Sequence, residues 1–137
     1  MKTLITAAAF AITAGGAFAA SHAMAPMVEG SDQDVSGGTV TASKIVAPEN
    51  GWLVVHRTGE DMKPGPVVGH APIKMGENMD VTAILTEEVA SGDMLMLMVH
   101  SEAGGMETGI FEYTLGAKED GPIKPDGELV MKVVTAE

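Results

Sequence analysis

The run Asp93-Met-Leu-Met-Leu-Met-Val-His100 restricts the possible folds more than any other stretch of the chain. Alternation at period two makes it a strand with Met94, Met96, Met98 and His100 on one face and Leu95, Leu97 and Val99 on the other. A strand that is apolar on both faces belongs at the centre of a sheet, or under cover on both sides. The rest of the chain is therefore expected to supply that cover.

Taken in order, the other segments have the same character. Thr39 to Val46 alternates and is rich in β-branched residues, which favours a strand. Pro48-Glu-Asn-Gly51 is a turn, with Asn-Gly tolerating positive φ. Trp52 to Arg57 follows, with Trp52, Val54 and His56 on one face and Leu53, Val55 and Arg57 on the other. A loop from Thr58 to Pro66 leads to a short strand, Val67 to His70. Gly76-Glu-Asn78 turns into Met79 to Leu85, where Val81, Ala83 and Leu85 alternate with Asp80, Thr82 and Ile84. Gly109 to Thr114 and Glu128 to Thr135 read as the last two strands. No segment sustains a 3.6-residue apolar period, so almost no helix is expected. About seven short strands at regular turn spacing predict an all-β, antiparallel, immunoglobulin-like sandwich, with a small β-barrel as the alternative.

The start of the chain reads as an export signal over residues 1–19. Lys2 provides the positive charge, Leu4 to Ala14 the apolar run, and Ala17-Phe18-Ala19 the small-x-small cleavage site, with cuts after Ala20 or Ala23 also compatible. Residues 20–38, rich in Ser, Ala, Met, Pro and Gly and without periodicity, read as a flexible lead segment, and residues 39–137 as the domain. The expected location is thus periplasmic or extracellular. No stretch reaches the roughly 20 apolar residues of a membrane span. Cysteine is absent, so stability must come from the core without disulfides. The formal charge is −11, and −12 once Lys2 is removed with the signal. A surface so acidic repels nucleic acid and anionic lipid.

Several motifs in order carry a family resemblance: Val46-Ala-Pro-Glu-Asn-Gly-Trp-Leu-Val-Val-His56, Lys63-Pro-Gly-Pro-Val-Val-Gly69, Gly76-Glu-Asn with Asp80-Val81, Leu97-Met-Val-His100, and Asp120-Gly-Pro122 before a closing strand. Over about Thr39 to Val134 the chain resembles an uncharacterised domain family of haloarchaeal surface proteins and exported bacterial proteins. The resemblance implies an extracytoplasmic β-sandwich and brings no established activity. The family often has an aspartate two places after the second histidine, where this chain has Glu102.

Four histidines and eleven methionines without cysteine raise copper as a cofactor, since thioether and imidazole suit Cu(I). Cleavage after Ala19 would leave Ala20-Ser21-His22 as a square-planar nitrogen site for Cu(II) or Ni(II). Met94, Met96 and Met98 with His100 could hold a soft ion if that face were exposed; if buried, they are core filling. His70 is expected to share an end of the sandwich with His100, with Glu102 nearby. His56 is expected at the opposite end, on the order of 15 to 20 Å from His100.

Catalytic signatures are missing. The chain has no Gly-x-Ser-x-Gly elbow, no His-Glu-x-x-His and no phosphate-binding loop, and it lacks the thiolate of a blue-copper site. Trp52, the one tryptophan, is expected to pack rather than to serve as a sugar platform. The sequence reading is a non-catalytic binding or structural module of the cell envelope, with an unknown envelope protein or small ligand as partner. Specificity would lie in the loops Thr58–Pro66 and Ser101–Thr108. A periplasmic copper carrier using His22, His70, His100 and the methionines is the alternative.

Overall fold

The computed structural model describes residues 23–137, so residues 1–19, expected to be an export signal, and His22 lie outside the described residues. Seven strands form one antiparallel sheet: β1 (Met27–Glu29), β2 (Thr39–Ala47), β3 (Gly51–Thr58), β4 (Val67–Ile73), β5 (Gly76–Leu85), β6 (Met94–Ser101) and β7 (Met131–Thr135). Their spatial order is β1-β2-β5-β4-β3-β6-β7. The only helical turn among the described residues is the short 3-10 segment Pro125–Gly127. The protein is therefore all-β, antiparallel and seven-stranded, as its alternation predicts. The sheet is continuous and curls until its edges meet. Gln33 bridges to Ala136, and its side-chain amide accepts from the Thr41 N–H at 2.8 Å and donates to the Thr41 carbonyl at 2.9 Å. One side chain thus substitutes for a missing residue of ladder and leaves little bare edge.

β3 and β6 pair along their full length, Gly51 with Ser101 through Thr58 with Met94. These are the two strands that are apolar on both faces, and each is the other's neighbour because neither tolerates an edge. Leu53, Val55, Leu95, Leu97 and Val99 point inward and meet Val40, Ala42, Ile45, Val68 and Ala83 in the core. Each large aliphatic side chain buried there contributes about 1.5–3 kcal/mol. The two strands approach so closely at Gly51 that an added Cβ would stand 2.0 Å from the His100 carbonyl oxygen.

Two expectations are corrected. The lead segment does not lie outside the fold: Met27–Glu29 pairs with β2, and Val28 and Val35 are buried in the core. Its polar composition hid a strand of three residues, too short to show alternation. Gly109 to Thr114 is not a strand; it belongs to an irregular roof, residues 102–124, that crosses the outer face of β3 and β6. The roof is tied to the sheet at its ends, where Ser101 N–H donates to the Gly121 carbonyl at 3.0 Å and Ile123 N–H to the Val99 carbonyl at 3.1 Å.

Candidate functional site

Beneath the roof lies a second buried layer on the outer face of the sheet. Trp52, Val54 and His56 come from β3, and Met96, Met98 and His100 from β6, all at most 5% exposed. Tyr113 closes it from above, its ring 4.5 Å from that of His100 and 5.9 Å from that of His56, edge-on to both. Asp120 pins the roof. Its buried carboxylate accepts from the Ala103 N–H at 3.2 Å and the Glu112 N–H at 2.8 Å.

His56 and His100 meet in this layer, with their Nε2 atoms 3.3 Å apart. That overturns the expected separation by the length of the sandwich. The strands are antiparallel, as expected, but Trp52 rather than His56 is the residue across from His100. The offset is four residues, or about 13 Å along the strand. Two imidazoles leaning toward each other along one face span it. Each Nδ1 is held by a carbonyl: His56 by Gly65 at 2.7 Å, His100 by Asp120 at 2.6 Å. A carbonyl only accepts, so in both rings Nδ1 carries the hydrogen and a neutral ring has a bare Nε2. Burial lowers the pKa of both rings, that of His100 to about 4. At neutral pH, two lone pairs therefore face each other.

At the Gly51 end of the sheet, the roof and the β4–β5 turn enclose a cleft of about 950 Å³, open to solvent. Its apolar wall is aromatic. The Phe111 ring stacks on His70 with centres 4.2 Å apart, and Trp52 stands edge-on to both at 5.4 and 5.7 Å. Asn50, Lys74, Asn78 and Glu102 supply polar groups around it. Trp52 packs as expected, being 5% exposed, and its indole nitrogen is buried without a hydrogen-bond partner among the described residues.

The remaining proposed ligands are not brought together. His70 faces outward on β4 against Phe111, whereas His100 is buried under Tyr113. Met94 is half-buried, and Met96 and Met98 are sealed at 0% and 1% exposure, the packing outcome rather than an exposed thioether stripe. Among the described residues no group of three or more His, Asp or Glu side chains could hold a metal ion. Sequence reasoning missed Tyr113, Phe111 and Asp120, the roof residues that shape both features. The available signal was Trp52 and His56 sharing a parity with His100, a face that needed an aromatic cover.

A nearly closed seven-stranded sheet with a second buried layer under an irregular roof, and a side cleft lined by aromatic rings, defines a small all-β domain with a ligand-sized recess. The chain belongs to the family described as a domain of unknown function, DUF7282, which matches residues 26–137. That match begins one residue before β1, in accord with a lead segment built into the sheet. No curated protein and no solved structure matches the chain. No helix among the described residues is long and apolar enough to cross a membrane.

Proposed function

We propose that the protein is a non-catalytic binding module of the extracytoplasmic envelope, taking a small ring-bearing ligand with polar substituents in the Trp52–His70–Phe111 cleft. The cleft itself carries this reading. Its volume of about 950 Å³ lies within the roughly 300–1,000 Å³ of small-molecule sites, which combine apolar walls with a few placed polar groups. Aromatic rings offer stacking faces, while the side-chain NH2 of Asn50, whose Oδ1 accepts from the Met75 N–H, and the charges of Lys74 and Glu102 can read substituents. Binding rather than turnover is supported by His70, which stacks on Phe111 and forms no side-chain hydrogen bond among the described residues that would orient it as a base. Export is supported by the composition of residues 1–19.

The chain contains a single tryptophan, and it lines the cleft, so its fluorescence reports occupancy directly. Titration with a panel of mono- and oligosaccharides and aromatic amino acids is expected to give saturable quenching with at least one member. Phe111→Ala and His70→Ala should each weaken that binding tenfold or more while leaving the circular dichroism spectrum unchanged. Quenching that survives both substitutions, or none across the panel, refutes the reading.

A further inference from the structure

The buried histidine pair is outside the cleft, and packing does not account for it. Both rings are at most 1% exposed, and both Nδ1–H groups are committed to carbonyls. The Nε2 atoms, 3.3 Å apart, are then two acceptors without a donor. Their ring centres are 5.4 Å apart, close to the separation of imidazoles meeting tip to tip. A bridging water would need about 2.8 Å to each nitrogen, so it has no room in line. Apolar side chains would fill this space at no such cost. What satisfies two converging lone pairs is a cation.

We propose that the facing Nε2 atoms of His56 and His100 hold a single Cu(I) ion, with Met98 in the register position between them. Three features favour a soft monovalent metal. First, a ring N–H donated to a backbone carbonyl is the usual support of a metal-ligating histidine, because it fixes the tautomer and leaves Nε2 free. Both members of the pair have it. Second, the diagonal from His56 to His100 crosses the Val54–Met98 pair, which puts Met98 beneath the contact; imidazole and thioether together select Cu(I). Third, the buried Asp120 accepts only backbone N–H groups and forms no ion pair among the described residues. Its charge raises the cation affinity of the neighbouring His100 ring. A monovalent ion beside one carboxylate leaves the layer neutral. Metal–imidazole bonds of ~2 Å need ~4 Å between nitrogens in line. The ion seats after a shift of well under 1 Å, or slightly off the line toward Met98.

The test uses the exported chain under anaerobic conditions, with Ag(I) as a redox-inert probe and Cu(I) competed against a chromogenic chelator. One equivalent is expected to bind. In long-range ¹H–¹⁵N correlation spectra the Nε2 signals of His56 and His100 should move together while those of His70 stay in place. This measurement on the unmodified protein does not depend on any variant folding. His56→Gln and His100→Gln should each lower Cu(I) affinity at least tenfold, and His70→Gln should leave it unchanged. Uptake that survives both substitutions, or Nε2 signals that do not move, overturns the proposal. So does an Nε2–H signal in the metal-free protein at pH 7, since a shared proton would then fill the gap.

Discussion

Acidification should destabilise this domain well above the pH at which its carboxylates titrate, because of His100. In the unfolded chain its pKa is near 6.5, and in the folded protein burial lowers it to about 4. Above pH 6.5 the ring is neutral in both states and costs nothing. As pH falls from 6.5 toward 4, the unfolded chain binds a proton that the folded protein refuses, and stability is lost at about 1.4 kcal/mol per pH unit. Between pH 7 and 5 that amounts to about 2 kcal/mol from His100, a shift of about 1 M in a urea midpoint for a domain of this size. His56, lowered by burial as well, adds in the same direction. The groups facing the pair are Tyr113 and Asp120, and Asp120 partly offsets the cost of a proton on His100. Asp34 and Asp93, whose pKa values lie below the usual carboxylate value, lose their contributions only at lower pH. The assay is urea unfolding at pH 7 and 5 in the presence of a chelator, for the native chain and for His100→Gln. The variant should be less sensitive to pH by about 2 kcal/mol, whatever its stability at pH 7. Equal pH sensitivity in the two proteins would refute the assignment of a buried neutral His100.

Other substitutions probe the same layer. Gly51→Ala should cost about 3 kcal/mol or more in chemical denaturation, because the new methyl meets a backbone oxygen that cannot rotate away. Trp52→Phe should change stability by less than about 1 kcal/mol, since the lost area is offset by removal of a buried, unpartnered N–H worth about 1–3 kcal/mol. A loss like that of an ordinary core truncation would show that the indole nitrogen has a partner. Asp120→Asn turns a side-chain N–H toward a backbone donor. It should cost about 1.5–3 kcal/mol and speed hydrogen exchange at the Ala103 and Glu112 amides ahead of those in β3. Met98→Leu, a volume-conserving change, should cost under about 1.5 kcal/mol while weakening Cu(I) uptake.

Alternation made the longer strands of the sheet legible. Val81, Ala83 and Leu85 turn inward as their pattern requires, and the two-faced apolar run of β6 sits beside its counterpart β3. What alternation could not show was register. The two strands pair end to end, but sequence does not say which residues stand opposite each other or that two rings four positions apart lean together along one face, so the meeting of His56 with His100 was invisible. The roof was illegible for a different reason. Gly109 to Thr114 has a strand-like composition because Phe111 and Tyr113 pack against a sheet, not because they join one, and the hydrogen bonds holding them run to the carboxylate of Asp120 rather than along a ladder. The β1 segment lacked the length for any periodicity; it pairs with β2, and the chain just after it is tied to residues about a hundred positions away, such as Thr135, whose N–H donates to Asp32.

The roof gives this small domain two cores divided by a single sheet. The inner one is enclosed by hydrogen-bonded strands and can be lost only with the whole fold. The outer one is covered by chain that contributes little ladder, joined to the sheet by backbone hydrogen bonds near its ends and held together internally by the Asp120 carboxylate. Lifting residues 102–124 would leave the strands paired, so the outer layer can open as a cooperative unit of lower free energy than global unfolding. Entry to the histidine pair is then governed by the frequency of that opening, and an occupant would exchange on the timescale of the lid rather than of diffusion.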